Sequence, residues 1–190
     1  MTAQPRKLVV SFLTTVDGAH HNPMSFAGPY FDDAAAARSL ADLEACDAML
    51  MGRNTYEYFA HGWSNATDPY SQRINDIAKY VFSSTLTAAA WNNTKVLAGD
   101  VATTVAELKQ QGGGDLMIYG NGRLSRTLLD HGLVDELKIA VFPVVAGAET
   151  PLPRPGRTAP LRLASTRTWT NGTVQLTYVP ESFPEGGVPG

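Results

Sequence analysis

The chain has 190 residues, of which 44% are hydrophobic and 17% are charged, and its formal net charge is −3. This length and balance are typical of one globular domain with a sizeable core. A nucleic-acid binder would show a basic excess or a stripe of Lys and Arg, and neither is present. No apolar run approaches the roughly eighteen residues of a membrane span, and the N-terminus lacks a signal-peptide pattern, so we expect a cytoplasmic protein.

Cysteine and histidine give no sign of a metal site. Cys46 is the one cysteine, and its apolar neighbours predict a buried small side chain rather than a nucleophile. The four histidines lack the spacing of metal ligands, so we expect no metal. His20 and His21 follow the first predicted strand; exposed loop histidines are the simpler interpretation, and proton donors are the alternative.

In chain order, the first two thirds of the sequence alternate between predicted strands and helices. An apolar run at 8–13 predicts a buried strand, and a loop rich in turn-forming residues follows over 15–30. Asp32 or Asp33 is the expected cap of the next helix. The remaining elements of this part are a helix at 34–44, a strand at 47–51, a helix from about 54, a weaker helix at 70–77, strands at 79–83 and 95–97, a helix from 101 to the glycines at 112–114, a strand at 116–119 and a helix at 124–131.

The last third has a different pattern. Alternating residues at 137–142 predict a strand, and a Pro/Gly-rich loop follows over 143–160. Two further strands, at 161–169 and 173–179, are joined by Asn171-Gly172, which is a strong hairpin signal.

Together these elements predict an α/β fold, with a mixed, mostly parallel sheet, a C-terminal antiparallel hairpin and helices on both faces. We expect a single domain over 1–180 and a flexible tail over 181–190.

Polar segments follow four of the predicted strands, at 15–18, 52–55, 83–85 and 120–122. Open α/β sheets bind their ligands beyond the carboxyl ends of the strands. We therefore expect these four segments to meet at one binding site.

Gly120-Asn121-Gly122 joins a strand to a helix, as a phosphate-binding turn does. Glycines allow close approach of a pyrophosphate, and a helix N-terminus offers free N–H groups. A tight turn that binds nothing is equally compatible with the spacing. A dinucleotide fingerprint is excluded, because Ser125 stands where its third glycine would fall, and no Gly-Lys-Ser/Thr phosphate loop is present.

Arginine and hydroxyl groups follow two other strands. Gly52 ends a strand and Arg53 begins a helix, where an arginine suits a phosphate and Thr55 adds a hydroxyl. A capping turn with a solvated arginine is the alternative. Ser83 and Ser84 offer hydroxyls to a phosphate or a ribose, although such a pair is also common in ordinary loops.

Asp17 is the candidate catalytic residue. Its carboxylate follows the first strand, where it can accept hydrogen bonds from a substrate or relay a proton. A simple Asp-Gly turn is the alternative interpretation of Asp17 and Gly18.

Five motifs in this order resemble the reductase domain of the bifunctional riboflavin-biosynthesis deaminase–reductase, within the dihydrofolate-reductase-like superfamily. The resemblance covers about residues 7–179. The motifs are VDG at 16–18, DAMLMGRNTYE at 47–57, KYVFSSTL at 79–86, IYGNG at 118–122 and LVDEL at 133–137.

The resemblance implies a three-layer dihydrofolate-reductase-like fold, NADPH as hydride donor, and a pyrimidine- or pteridine-like substrate, as in 5-amino-6-(5-phosphoribosylamino)uracil reductase. A dihydrofolate reductase, another small-molecule reductase or a non-catalytic nucleotide-binding module are the alternatives. The resemblance also implies a homodimer, a structural role for 133–137 and a substrate- or nicotinamide-side position for Asp17. The cofactor-binding residues that it implies are Gly52, Arg53, Thr55, Ser83, Ser84, Gly120, Asn121 and Gly122.

Three departures from the family pattern are visible. Asn121 replaces the usual small middle residue of the glycine turn, and Ser84 stands where an arginine is common. The segment at 147–152 differs from the family's glycine-rich stretch, which leaves the substrate open. The zinc signature of the deaminase is absent, so no deaminase activity is expected.

Overall fold

A computed structural model describes residues 5–147 and 159–182. In these residues, eight strands form one sheet in the order β4-β3-β2-β5-β1-β6-β8-β7. The six strands from β4 to β6 are mutually parallel, and β8 and β7 are antiparallel to their neighbours. The strands are β1 Leu8–Thr15, β2 Cys46–Gly52, β3 Ala78–Phe82, β4 Thr94–Leu97, β5 Asp115–Tyr119, β6 Glu136–Phe142, β7 Leu161–Thr168 and β8 Val174–Pro180.

Helices connect most of the parallel strands, and three of them begin at an aspartate. Asp32, Asp68 and Asp100 each accept a hydrogen bond from a backbone N–H in the first turn of the helix that follows. The helices are α1 Met24–Ala27, α2 Asp33–Glu44, α3 Arg53–Trp63, α4 Pro69–Asp76, α5 Val101–Gln110 and α6 Arg123–Asp130, with a 3₁₀ turn at Gly28–Tyr30.

The sheet has a hydrophobic core on each face. Leu8 and Val10 pack with α5 and α6, whereas Val9, between them, packs with α2, α3 and α4. A strand covered on both faces needs apolar residues at consecutive positions, which explains the continuous apolar run of β1. The predicted three-layer fold is confirmed.

The structure corrects one element and confirms two smaller expectations. The predicted loop over 15–30 contains α1 and the 3₁₀ turn, because Phe26 and Tyr30 pack edge-on against Phe142 of β6. Cys46 is buried, and burial raises the pKa of its thiol to about 12. Asp135, within the motif expected to be structural, accepts hydrogen bonds from Leu8 N–H (2.6 Å) and Lys109 Nζ (2.5 Å).

Some expectations fall on residues outside the described ranges. These are most of the loop at 143–160, the altered segment from residue 148 onward and the tail from residue 183 onward. Among the described residues, no helix is both long and apolar enough to cross a membrane.

Candidate functional site

Four predicted segments lie along one edge of the sheet. The strands β3, β2, β5 and β1 are parallel neighbours in that order, so their carboxyl ends face the same way. This order places Ser83, Gly52, Gly120 and Asp17 successively along the edge. We call it the carboxyl edge.

Two helices begin directly on this edge without a side-chain cap. Gly52 ends β2 and precedes α3, and Gly122 precedes α6; no side chain of the described residues caps either helix start. The aspartates that cap α2, α4 and α5 have no counterpart here. The first N–H groups of α3 and α6 therefore remain available to an anion, which the helix dipole also favours.

The space above the glycines of the carboxyl edge is open. Among the described residues, no atom lies within 4 Å of a Cβ built on Gly52, Gly120 or Gly122. Gly120 has φ +100, which side-chain-bearing residues rarely adopt, and its N–H donates to Ser11 O at 2.8 Å. The glycine turn is thus anchored to β1 while its surface stays accessible, so these residues fit a pyrophosphate.

Arg53 connects two of the predicted segments. Its Nε donates to Glu57 Oε1 at 2.7 Å, and its Nη1 donates to Thr85 Oγ1 at 3.0 Å. The arginine is half exposed, so its remaining donors face solvent. The sequence placed Arg53 and Thr85 in two of the predicted segments, but it gave no sign of their contact, because the two residues lie 32 positions apart in the chain.

The serine segment has two different residues. Ser83 Oγ accepts hydrogen bonds from Leu86 N–H (2.9 Å) and Thr85 N–H (3.2 Å), so it shapes the turn after β3. Ser84 is exposed next to it, and Thr55 is half-buried in the first turn of α3. Ser84 is therefore better placed than Ser83 to offer its hydroxyl to a ligand.

Asp17 joins the ends of β1 and β6. Its carboxylate accepts hydrogen bonds from Thr15 Oγ1 (2.5 Å), Ala146 N–H (3.1 Å) and Gly147 N–H (2.8 Å). Both carboxylate oxygens are therefore used to hold the loop after β6 against the turn after β1. This arrangement favours a positioning role for Asp17 over a proton relay.

His20 is half-buried, so its interpretation as an exposed loop residue is wrong. Its Nδ1 lies 3.3 Å from Gly18 O, and its ring packs against the exposed His21. Burial lowers the pKa of His20, the positive charge of Arg126 acts in the same direction, and the hydrogen bond with Gly18 O opposes it. The neutral form of the imidazole is therefore favoured beside the turn that carries Asp17.

A cleft opens between α2 and the sheet, next to β1, β6 and the tip of the β7–β8 hairpin. Its lining combines four aromatic side chains with polar side chains from α2 and the sheet. The residues that line it are Ser11, Leu13, Tyr30, Phe31, Ala35, Arg38, Ser39, Asp42, Ala140, Phe142, Trp169, Asn171, Thr173 and Gln175. The sequence identified none of these polar residues as candidates, because their partners are distant in the chain.

Two charged residues of α2 are fixed in the cleft. The Arg38 guanidinium lies over the Trp169 ring, 4.1 Å from its centroid. Asp42 Oδ1 accepts a hydrogen bond from Lys138 Nζ of β6 at 2.7 Å. Among the described residues, no group of three or more His, Cys, Asp or Glu side chains could hold a metal ion.

The sheet order and the layers of helices define a dihydrofolate-reductase-like α/β protein. The chain belongs to the RibD C-terminal domain family, whose model matches residues 6–175. The uncharacterized protein YyaP of Bacillus subtilis (strain 168) is 30% identical over 143 residues, which cover 72% of this chain and 75% of YyaP.

Solved structures of low identity share the fold. A putative riboflavin biosynthesis protein from Shewanella sp. PV-4 superposes with a TM-score of 0.71 at 20% identity, covering 93% of this chain and 99% of that one. Dihydrofolate reductase from Enterococcus faecalis, complexed with NADP(H), has a TM-score of 0.60 at 11% identity, covering 93% and 97% of the two chains.

Proposed function

We propose that this protein is an NADPH-dependent reductase of a small pyrimidine- or pteridine-like substrate. One observation carries the proposal: two uncapped helix N-termini meet open glycines at the carboxyl edge, beside Arg53. Membership of the RibD C-terminal domain family supports a reductase. A dihydrofolate reductase of the same fold that is complexed with NADP(H) supports the choice of cofactor.

The cofactor would be held by groups that are otherwise unused. The N–H groups at the starts of α3 and α6 would bind the pyrophosphate, with Gly52, Gly120, Asn121 and Gly122 allowing its approach. Arg53 would bind the phosphate on the adenosine ribose, together with the hydroxyls of Thr55, in the same helical turn, and of Ser84, the chain neighbour of Thr85. NADPH, when bound, supplies the hydride.

The substrate would lie in the cleft beside α2, where aromatic and polar side chains share the lining. Asp17 would keep the loops after β1 and β6 together at the mouth of the site, so that the substrate meets a fixed surface. We assign Asp17 this orienting role, with no direct share in proton transfer.

Calorimetric titration with NADPH and NADH tests the proposal, followed by measurement of NADPH oxidation with a panel of pyrimidines and pterins. We expect NADPH to bind more tightly than NADH and at least one ring compound to accelerate its oxidation. Binding without turnover on any of these compounds would favour a nucleotide-binding module. Failure of NADPH to bind would refute the proposed function.

We also propose a homodimer, on the basis of the edge strand β7. All eight of its residues are exposed, including Leu161 and Leu163 at 37% and 48%. An exposed edge with apolar side chains is a surface to which another chain readily pairs. Sedimentation equilibrium should give twice the mass of the chain, and replacement of Leu163 by Lys should shift the protein toward the monomer.

A further inference from the structure

We propose that His20 binds the carboxamide of the nicotinamide ring, through a hydrogen bond that its Nε2 accepts from the amide N–H. The proposal rests on the proposed function, since it takes NADPH as the cofactor. It adds a residue that recognises the reactive end of that cofactor, on the loop that follows β1.

His20 has a buried acceptor without a partner. Its Nδ1 lies 3.3 Å from Gly18 O, and a carbonyl oxygen only accepts hydrogen bonds, so Nδ1 carries the proton in this contact. The neutral ring therefore has a lone pair on Nε2. This nitrogen is buried, and no described residue donates a hydrogen bond to it. Because an unpaired buried acceptor is destabilising, a ligand that supplies a donor is favoured there.

Three hydrogen bonds fix the chain immediately before His20. Ala19 O accepts from the Thr15 N–H and from Thr14 Oγ1, both at 3.0 Å, and the Ala19 N–H donates to Thr15 Oγ1 at 2.9 Å. His20 therefore follows directly from a turn that is tied to the end of β1. Such support favours binding, because less conformational freedom is lost when the ligand arrives.

His20 lies near the α6 side of β1. The hydroxyl of Thr14, which binds the turn, faces away from the cleft beside α2, because the neighbouring Leu13 lines that cleft. Burial and the positive charge of Arg126 in α6 both lower the pKa of His20. Arg126 also lines a small hollow together with Asn121 of the glycine turn. The imidazole is thus close to both the end of β1 and the start of α6.

The order of the strands puts the nicotinamide end of the cofactor at β1. Arg53, at the end of β2, is assigned to the phosphate on the adenosine ribose, and the starts of α3 and α6 are assigned to the pyrophosphate. β5 and then β1 follow β2 in the sheet, each about 5 Å further on. A dinucleotide that lies along the carboxyl edge in this direction reaches β1 with its nicotinamide.

The carboxamide is the group of the nicotinamide that fits this acceptor. The reduced ring is uncharged, and its amide NH₂ is its one N–H donor. A hydrogen bond from this group fixes which way the ring turns, so His20 would orient the hydride-bearing carbon toward the cleft beside α2. The exposed ring of His21, which packs on His20 at 4.3 Å between centroids, can turn aside as the cofactor enters.

The test compares NADPH with its reduced 3-acetylpyridine analogue, in which a methyl group replaces the amide NH₂. Each is titrated into the full chain by calorimetry, and the ratio of the two dissociation constants is the readout. The wild type should bind NADPH more tightly. His20→Leu should lower this preference about three- to ten-fold, which is the range for one neutral hydrogen bond. His20→Gln, which keeps an acceptor oxygen, should stay within about two-fold of the wild type.

His21→Leu is the matched control, because it removes the neighbouring imidazole and leaves His20 in place. It should keep the wild-type ratio. Since the ratio compares two probes on one protein, partial unfolding of a variant does not change it.

Four outcomes with NADPH bound would overturn the inference alone. They are a wild type that binds both probes equally, a His20→Leu variant that keeps the ratio, a His20→Gln variant that loses as much as His20→Leu, and a His21→Leu variant that loses as much as His20→Leu. If the wild type does not bind NADPH at all, the proposed function fails and the inference fails with it.

Discussion

The two ends of the parallel strands use glycine in opposite ways. At the amino end of β5, a Cβ on Gly114 would lie 2.8 Å from Asp47 Oδ1 and 3.2 Å from Ala45 O. At the carboxyl end of the same strand, a Cβ on Gly122 would meet no atom of the described residues within 4 Å. The first glycine is required by packing within the protein. The second is not, and it precedes a helix start without a side-chain cap, which together are why we assign it to a ligand.

Polar groups differ between the two ends in the same way. At the amino end, Asp135 accepts hydrogen bonds from both Lys109 and Leu8, and Asp47 accepts one from the Gly114 N–H. At the carboxyl edge, the helix starts at Arg53 and Arg123 have no side-chain cap. The glycines at 112–114 and those at 120–122 look alike in the sequence, but the atoms around them in the structure distinguish the two groups.

Replacement of Gly114 or Gly122 with alanine should give the largest difference in stability between the two ends. Gly114→Ala should lower the free energy of unfolding by about 2 kcal/mol, because its methyl group overlaps Asp47. Gly122→Ala should change stability by less than about 1 kcal/mol, because the space is open. Urea denaturation measures both; equal losses would remove the distinction between the two ends.

Lys79, at the amino end of β3, tests whether polar groups at that end of the sheet find their partners within the protein. Its Nζ donates to Ile77 O (2.7 Å) and Asn75 O (2.9 Å) and lies over the Trp91 ring. Burial lowers the pKa of Lys79 from 10.5 to about 8. Between these values the unfolded chain holds a proton that the folded chain releases, so stability rises with pH.

Between about pH 8 and pH 9.5, the free energy of unfolding of the wild type should therefore rise by about 1.5 kcal/mol relative to that of Lys79→Met. Urea denaturation of both proteins at the two pH values gives this difference. A difference that stays constant, or that falls as the pH rises, would show that Lys79 is not destabilised as a cation.

Arg53→Ala tests whether the carboxyl edge binds the phosphate that distinguishes NADPH from NADH. It should weaken NADPH binding about ten-fold and NADH binding much less, because the guanidinium contacts the extra phosphate. Arg162→Ala is the matched control. Arg162 lies on the exposed strand β7, where its Nε donates to Glu181 Oε1 at 2.5 Å. If NADPH and NADH weaken equally, Arg53 does not read that phosphate.

Asp17→Asn should have the smallest effect on binding. The variant loses the charge that accepts two backbone N–H groups of the loop after β6, so turnover should fall by about ten-fold through poorer positioning. NADPH affinity should stay nearly unchanged. Steady-state kinetics and calorimetry together test this, and parallel losses of turnover and affinity would argue against the assigned role.

Local patterns in the sequence predicted most of the fold. The apolar run of β1, the aspartate that caps α2 and the Asn171-Gly172 turn are signals carried by neighbouring residues. The element α1 was missed, because it is stabilised by Phe26 packing on Phe142, more than a hundred positions later.

The candidate site likewise contains residues that local sequence signals predicted and residues that depend on distant partners. Glycine turns and Arg53 follow strands directly, so the rule on strand ends located them. Asp42 and Arg38 gave no signal, because their significance depends on Lys138 and Trp169 across the cleft. Side chains on a helix show their role only once the facing strand is known.

Amide hydrogen exchange with and without NADPH tests the central claim most directly. The account predicts that NADPH slows exchange at the starts of α3 and α6, around Arg53 and Arg123, and leaves the amino end of β5 around Gly114 unchanged. Slowed exchange elsewhere, with no change at these two helix starts, would contradict it.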